Sequence, residues 1–396
     1  MKTTKKITVI GAGNGGMAMA YSLGQMGHDV CIYDSPNFPA QINAVNETGG
    51  IEAVAELHEC PMLNAGFSKI SLATTDIKAA MEFSDIFMMV CPSFAQEIMF
   101  NSMIPYLRDG MKIFIVPGNY GGLILNKCLQ KSEKAGMDIT FLDTISLPWA
   151  TRLAHAGAVA IMGVKEFMPM SIFPNSKKTP ELMNLVNEVF PIRPEFLSNP
   201  IVAAFENINF GAHPVLSILN MGLCENFDGQ FNFYADCCST AVAKVEDALD
   251  LERLAVGDSL HMHLRTELEA NNVLYASHAK CIYDFNRESS VHSKIKNAPN
   301  TSKARYITED VPYLFVPFCE LADLCGSGKS FWKGGTRGGR TFFQKGFPPR
   351  KLFFLQISRR LPNKKSPAER GQKKTPSRCE LQGGLEQSLA AAYFPT

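Results

Sequence analysis

The 396-residue sequence predicts an α/β fold in which an N-terminal doubly wound parallel sheet is followed by an all-helical second domain. In the first half, short apolar runs alternate with helix-like stretches, a pattern typical of parallel strands covered by helices on both faces. After about residue 192 the pattern becomes helical. Asn199 and Pro200 form a typical helix start. Apolar residues then follow at helical spacing, at Ile201, Ala204, Phe205 and Ile208.

Six runs in the first half have the length and apolar character of buried strands. They are residues 7–11, 30–34, 70–75, 86–90, 113–117 and 139–144. Helices are predicted at 16–26, 77–83, 94–107 and 180–190, and further strands at 159–164 and 168–173. Alternation of this kind implies βαβ crossovers, because parallel neighbours need a long connection.

Pattern and charge divide the chain into three segments. Residues 1–192 form the predicted sheet domain, residues 193–325 the helical domain, and residues 326–396 a basic, glycine-rich tail. The whole chain has a formal net charge of +1, but the tail holds fifteen Lys and Arg residues against three Glu. We interpret the tail as divergent or disordered, and nucleic acid as an unlikely partner except through it.

Several classes of protein are excluded by composition. The eleven cysteines include no CxxC pair and no Cys/His spacing typical of zinc, so we expect reduced thiols and no metal site. The apolar run at residues 7–10 is too short for a signal peptide. No stretch of about 20 residues is continuously apolar, which predicts no membrane partner and a cytoplasmic location.

A glycine-rich turn between the first strand and the first helix predicts a dinucleotide site. It consists of Gly11, Ala12, Gly13, Asn14, Gly15 and Gly16, which satisfy G-x-G-x-x-G. In a Rossmann-type domain the first glycine allows the tight turn, the second lets the backbone approach the pyrophosphate, and the third lets helix and strand pack closely. The pyrophosphate then lies on the N–H groups of the helix N-terminus.

An acidic residue, Asp34, ends the second predicted strand eighteen residues after Gly16. A carboxylate at this point accepts hydrogen bonds from the ribose 2′-OH and repels a 2′-phosphate. The sequence therefore predicts NAD(H) as the cofactor, in preference to NADP(H).

His213 is the first candidate for acid–base chemistry, because the ordinary pKa of histidine lies near physiological pH. It precedes Pro214, where we expect the capped helix to kink or break, because proline cannot donate to the helix. Asn209 lies four residues earlier, on the same helical face, and is a second candidate catalytic residue. A histidine before proline at a helix end is also common as a structural residue, and His155, after the sixth strand, is an alternative.

A second candidate cluster lies in residues 304–312, where charged side chains stand between apolar neighbours. Arg305 is suited to bind a substrate carboxylate through two hydrogen bonds. Asp310 is suited to hold a catalytic histidine in one tautomer and to stabilise its charged form. A structural ion pair near a helix start would give the same pattern.

These motifs, in this order, resemble the opine dehydrogenases, the octopine/nopaline dehydrogenase family. The resemblance rests on residues 11–16, 116–122, 207–214, 242–253 and 305–312. It implies two domains around a cleft, with NADH in the first and an amino acid bound mainly by the second. It also implies reductive condensation of the amino acid with an α-keto acid such as pyruvate through an imine. His213 would be the acid–base residue, Asp310 its charge-relay partner, and Arg305 a neighbour of the substrate carboxylate.

The resemblance ends at about residue 325, where the basic tail begins. Other interpretations therefore stay open: a 2-keto-acid or a glycerol-3-phosphate/ketopantoate-type dehydrogenase, or an inactive NAD-binding protein whose tail mediates an interaction. The sequence identifies neither the amino acid nor the keto acid, and both a monomer and a homodimer are compatible with it.

Overall fold

A computed structural model describes residues 3–58, 60–292, 295 and 298–325. The predicted third segment, residues 326–396, lies outside the described residues, as do the expectations attached to it. Among the helices of the described part, none combines the length and apolar character that crossing a membrane requires.

The main sheet has eight strands and contains all six strands predicted for its core. In spatial order it runs β7 (Leu72–Thr74), β2 (Asp29–Tyr33), β1 (Lys6–Ile10), β8 (Ile86–Met89), β9 (Lys112–Ile115), β10 (Thr140–Thr144), β13 (Met168–Phe173) and β14 (Pro194–Phe196). The first six strands are mutually parallel, in the 3-2-1-4-5-6 order of a Rossmann domain. The predicted fold class is confirmed.

The last two strands of this sheet depart from a purely parallel arrangement. Strand β13 pairs antiparallel with β10, and β14 pairs parallel with β13. The chain between β10 and β13 forms a hairpin instead of a crossover helix, so β13 enters the sheet in the opposite direction. Strand β14 lies inside the predicted helical segment, 193–325, yet belongs to this sheet. The helical part therefore begins after Phe196 and not at residue 193.

A second, four-stranded sheet was not predicted. Its order is β11 (Trp149–His155), β12 (Ala158–Val164), β3 (Gly50–Ala53) and β6 (Gly66–Lys69), and β4 (Glu56–Leu57) pairs separately with β5 (Cys60–Pro61). The predicted strand at 159–164 belongs to this sheet. Helix α1, Asn14–Gln25, touches strands of both sheets, which explains why eight of its residues are buried and its apolar residues are not confined to one face.

The remaining helices of the N-terminal domain cover the main sheet. They are α2 (Ala40–Thr48), α3 (Ile77–Phe83), α4 (Ser93–Met103), α5 (Gly121–Gln130) and α6 (Pro180–Val189), with short 3₁₀ turns at Ile104–Tyr106 and Asn175–Lys177. The side chain of Asp76 accepts a hydrogen bond from the backbone N–H of Lys78 and so caps α3, as the sequence predicts. Helix α6 connects β13 with β14.

The C-terminal domain is helical. Its helices are α7 (Pro200–Phe205), α8 (Asn209–Leu219), α9 (Met221–Asn226), α10 (Phe233–Cys237), α11 (Thr240–Ser259), α12 (Glu267–Leu274), α13 (Ile282–Glu288), α14 (Arg305–Thr308) and α15 (Val316–Cys325). A π-helical turn, Val311–Phe315, joins α14 to α15. Aromatic residues of α8 and α15, including Phe210 and Phe318 with ring centroids 4.9 Å apart, pack together in its core.

Candidate active site

The glycine-rich turn has the geometry that a dinucleotide requires. Gly11 has a φ of +104°, a left-handed conformation that favours glycine. A Cβ on Gly16 would collide with the carbonyl oxygen of Gly11, so helix α1 can approach β1 this closely only without a side chain. A Cβ on Gly13 would meet nothing within 4 Å. The backbone therefore faces open space where a pyrophosphate would approach.

The N-terminus of α1 suits an anion. Gly13 is its N-cap, no side chain caps the helix, and its first turn contains no acidic residue. The helix dipole and the N–H groups of this turn together favour a bound phosphate group.

Asp34 lies at the end of β2, beside this turn. Its Oδ2 accepts a hydrogen bond from the backbone N–H of Ala12 at 2.8 Å, and its Oδ1 accepts one from the N–H of Ser35 at 2.7 Å. Burial raises the pKa of Asp34, and these two hydrogen bonds oppose that rise. The carboxylate is thus held next to the glycine-rich turn, where a ribose would follow the pyrophosphate.

Asn14 has a structural contact that the sequence does not reveal. Its Oδ1 accepts a hydrogen bond from the backbone N–H of Leu153, 139 residues away, at 2.8 Å. This bond attaches strand β11 to the start of α1. Because Trp149 and Arg152 lie on the same strand, the contact also fixes their positions near the turn.

The helix that carries His213 is interrupted, but not where the sequence predicts. The capped helix α7 ends at Phe205, and the side chain of Asn207 accepts a hydrogen bond from the N–H of Asn209 as α8 begins. Pro214 lies inside α8, so of the two expectations at this proline, a kink or a break, the break is wrong. The interruption at residues 206–208 instead lets α8 start anew and direct His213 inward.

Both ring nitrogens of His213 have partners. Nδ1 lies 2.7 Å from Oδ2 of Asp310, 97 residues downstream, and Nε2 lies 2.9 Å from the hydroxyl of Tyr234. His213 is 8% exposed and Asp310 7%. An ionised carboxylate can only accept a hydrogen bond, so Nδ1 carries a proton, and in the neutral ring Nε2 accepts from Tyr234. Burial raises the pKa of Asp310, and the hydrogen bond from His213 opposes that rise.

Aromatic rings fix the imidazole from the sides. The ring of Tyr306 stacks on His213 at 4.1 Å between centroids, and Phe233 approaches it edge-on at 6.3 Å. Tyr234 in turn stacks on His292 at 4.1 Å, with 9° between the ring planes. Burial lowers the pKa of His292 to about 3, so this second imidazole is neutral at physiological pH.

Arg305 lies at the edge of the site, and its side chain is 55% exposed. Both Nε and Nη2 bond to Oε2 of Glu309 at 2.6 Å. Oε1 of Glu309 accepts hydrogen bonds from the backbone N–H and the hydroxyl of Ser93. Ser93 also accepts from the amide of Asn119, whose oxygen accepts from Asn207. A continuous polar chain therefore joins the segment before α8 to the segment that carries Arg305.

One cavity of about 440 Å³ connects these groups. Asn14 of the glycine-rich turn lines it, as do the pair His213 and Asp310 and the candidates Asn209 and Arg305. His155 does not line this cavity, and its side chain is 62% exposed on β11. Five candidates predicted from separate parts of the sequence thus meet in one cleft. Asp34 and the other residues of the glycine-rich turn do not line it, and the alternative histidine lies outside it as well.

The cavity also contains residues that sequence reasoning missed, among them Tyr234, Tyr306, Arg152 and Lys165. Arg152 lies beside Tyr306, and Lys165 donates a hydrogen bond to the carbonyl oxygen of Leu147 at 2.9 Å. Tyr306 directly follows Arg305 in the candidate cluster, whereas Tyr234, Arg152 and Lys165 are isolated in sequence from the motifs. Their only sequence signal is a cation or tyrosine within otherwise apolar surroundings, which occurs at many other positions.

Comparison with protein families gives two matches. Residues 196–331 match the model described as NAD/NADP octopine/nopaline dehydrogenase, alpha-helical domain. Residues 6–131 match the model described as NAD-dependent glycerol-3-phosphate dehydrogenase N-terminus. The two matches fall on the helical part and on the glycine-rich sheet part, respectively.

Individual proteins give the same picture. The chain is 26% identical over 324 residues to the opine dehydrogenase of Arthrobacter sp. (strain 1C), covering 81% of this chain and 86% of that protein. It is 23% identical over 323 residues to the protein ocs of Agrobacterium vitis, with the same coverage. A solved octopine dehydrogenase in complex with NADH and agmatine has a TM-score of 0.65 at 20% identity, covering 82% of this chain and 85% of that one.

Proposed function

We propose that the chain is an NAD-dependent oxidoreductase of the opine dehydrogenase family, which condenses an amino acid with an α-keto acid such as pyruvate and reduces the resulting imine. The observation that carries this proposal is the shared cavity, which Asn14 of the glycine-rich turn and the His213–Asp310 pair line together. A hydride donor and an acid–base group then face the same substrate.

The charges in the cavity support a substrate with more than one carboxylate. Arg152, Lys165 and Arg305 all line it. The acidic residues among its described lining are Glu309 and Asp310, and both already bond to Arg305 and His213, respectively. The excess of positive charge fits the two carboxylates that an amino acid and a keto acid bring together. Arg305 and Arg152 are the guanidinium groups we assign to them.

His213 would supply the acid–base chemistry. The donor's ammonium group must lose a proton before its nitrogen can attack the keto carbon, and His213 accepts that proton. The same proton then goes to the hydroxyl of the carbinolamine, which leaves as water and yields an imine with a protonated nitrogen. NADH, when bound, supplies a hydride for the imine carbon, which gives a secondary amine. Asp310 stabilises the charged imidazole between the two proton transfers.

The residues around α1 fit NAD(H). The uncapped helix N-terminus and the open space at Gly13 fit the pyrophosphate, and the carboxylate of Asp34 fits a free ribose 2′-OH. A 2′-phosphate at that position would meet a negative charge, so we propose that the enzyme prefers NADH to NADPH.

The test is a substrate screen with the full-length chain. NADH absorbance is followed with pyruvate or another α-keto acid, alone and together with each member of an amino-acid panel. We expect NADH oxidation only when both substrates are present. The product should have the summed mass of the two substrates less one oxygen atom, since water is lost and two hydrogens are gained.

Two outcomes would contradict the proposal. Equal NADH oxidation with the keto acid alone would indicate a 2-keto-acid or ketopantoate-type reductase. Binding of NADH without turnover of any pair of substrates would indicate an inactive NAD-binding protein.

A further inference from the structure

The hydroxyl of Tyr234 is hydrogen-bonded to the ring nitrogen of His213 that would otherwise contact a substrate. Nδ1 is engaged by Asp310, so Nε2 is the nitrogen left for proton transfer, and Tyr234 lies 2.9 Å from it. Tyr234 lines the same cavity as the candidate substrate-binding residues. Any substrate that bonds directly to Nε2 must therefore first displace a buried hydroxyl.

We propose that Tyr234 is not displaced and that its hydroxyl, not the imidazole, is the group that contacts the reacting atoms. This inference rests on the proposed condensation reaction and assigns its proton transfers to a two-residue relay. In this relay Tyr234 stands between His213 and the substrate.

The relay balances without an ionised tyrosine. When the donor's ammonium group passes a proton to the oxygen of Tyr234, the hydroxyl passes its own proton to Nε2 of His213. When the carbinolamine hydroxyl leaves as water, both transfers reverse: Nε2 returns a proton to Tyr234, and Tyr234 gives one to the leaving oxygen. The phenol is neutral before and after each transfer, and the positive charge rests on the imidazole beside Asp310.

The surroundings of Tyr234 suit a fixed relay. Its ring stacks on His292 and packs edge-on against Phe233 at 5.1 Å between centroids, so the hydroxyl has little freedom to swing away. Burial raises the pKa of Tyr234 well above its ordinary value. A hydroxyl in this setting passes a proton on instead of holding the negative charge.

The substitution Tyr234→Phe removes one oxygen atom and keeps the stacked ring. We expect kcat to fall about 10²-fold or more, the usual contribution of a positioned acid–base group. We expect the KM values, the dissociation constant of NADH and the thermal midpoint to change little. Tyr283→Phe is the matched control, since Tyr283 belongs to the same helical domain but does not line the cavity. It should retain the activity of the unsubstituted enzyme.

Direct contact between the substrate and Nε2 of His213 predicts the opposite change in kcat for Tyr234→Phe. If the substrate displaces the hydroxyl from Nε2, Tyr234→Phe removes a competitor, and kcat stays the same or rises while KM falls. That result would overturn the relay and leave the condensation reaction intact. If the unsubstituted enzyme condenses no pair of substrates, the proposed function itself fails and the relay fails with it.

Fluorotyrosine at position 234 provides a second test that keeps the hydroxyl and the fold. Fluorine makes the phenol a stronger proton donor and a weaker proton acceptor. If the hydroxyl contacts the reacting atoms, kcat should therefore change as fluorine atoms are added to the ring. A kcat that does not vary with fluorination would contradict the relay even if the phenylalanine variant did not fold.

Discussion

The bond between Asp310 and His213 allows a quantitative prediction for Asp310→Asn, which removes the charge and keeps the size. The two groups lie 2.7 Å apart, and both side chains are 10% exposed, so water cannot replace the lost partner. A hydrogen bond to a charged group contributes about 1.5–3 kcal/mol. At about 1.4 kcal/mol for each tenfold change in rate, this corresponds to about 10- to 150-fold in kcat/KM.

Asp310→Asn should also change the tautomer of His213, which adds to the loss of the charged hydrogen bond. The asparagine amide can donate to Nδ1, which puts the ring proton on Nε2 and reverses the hydrogen bond with Tyr234. In the serine proteases the corresponding change lowers kcat by about 10⁴, through the wrong tautomer. We therefore expect kcat/KM for the condensation to fall about 10²- to 10⁴-fold in Asp310→Asn.

The assay is the initial rate of NADH oxidation with both substrates varied, together with a fluorescence titration of NADH binding. NADH should bind Asp310→Asn as it binds the unsubstituted chain, because Asp34 and the glycine-rich turn are unchanged. Asp258→Asn, at the exposed end of α11, is the control for loss of a carboxylate. A rate in Asp310→Asn within about threefold of the control would refute the role we assign to the pair, since even the weakest hydrogen bond considered predicts a larger loss.

Three further predictions concern the cofactor site and the sheet. Gly13→Ala should retain the thermal midpoint but weaken NADH binding at least tenfold in a fluorescence titration, because its Cβ enters the space open to the cofactor. Gly16→Ala should unfold at lower temperature, because its Cβ would collide with the backbone of Gly11. Asp34→Asn should lower the preference for NADH over NADPH about tenfold in kcat/KM, and an unchanged ratio would exclude charge repulsion as its cause. Burial raises the pKa of Asp143 from 3.8 to about 7, so its contribution to stability is present below about pH 4 and is lost as the pH rises through 7. Relative to the unsubstituted chain, Asp143→Asn should therefore gain stability toward pH 8 in chemical denaturation, and a pH-independent difference would contradict the assigned shift.

The cofactor turn could be predicted from sequence because its determinants are local. The three glycines of the motif lie within six residues. Two of them meet a steric requirement of the turn itself, a left-handed φ at Gly11 and close packing at Gly16, and Gly13 leaves open space for the cofactor. The six core strands were predictable for a similar reason. Most are near-continuous apolar runs buried on both faces, so their composition reflects their environment, whereas the edge strand β7 is only partly buried.

The second sheet and the interruption between α7 and α8 could not be predicted from local sequence. Strand β11 mixes Trp149 and Leu153 with Arg152 and His155, because one end faces a cavity and the other faces solvent. Pro214 indicated a break that α8 does not make. The break depends instead on Asn207, whose side chain bonds to the chain after it and to Asn119, 88 residues before it.

The candidate pair His213 and Asp310 could be predicted only in part. No local pattern links His213 to Asp310 across 97 residues, and only the resemblance to a known family suggested that they meet. Tyr234 had no such signal, since a tyrosine between Phe233 and Ala235 looks like an ordinary core residue. Contacts between distant segments therefore had to come from the structure.

The polar chain from Asn207 to Glu309 explains why the site depends on both domains. Ser93 and Asn119 belong to the sheet domain, whereas Asn207 and Glu309 belong to the two segments of the helical domain that carry His213 and Asp310. Asn207 fixes the start of α8, and Glu309 immediately precedes Asp310. The hydrogen bonds through Ser93 and Asn119 thus hold both ends of the His213–Asp310 pair against the domain that binds the cofactor. Loss of this interdomain chain would separate the acid–base pair from the hydride donor without altering either one.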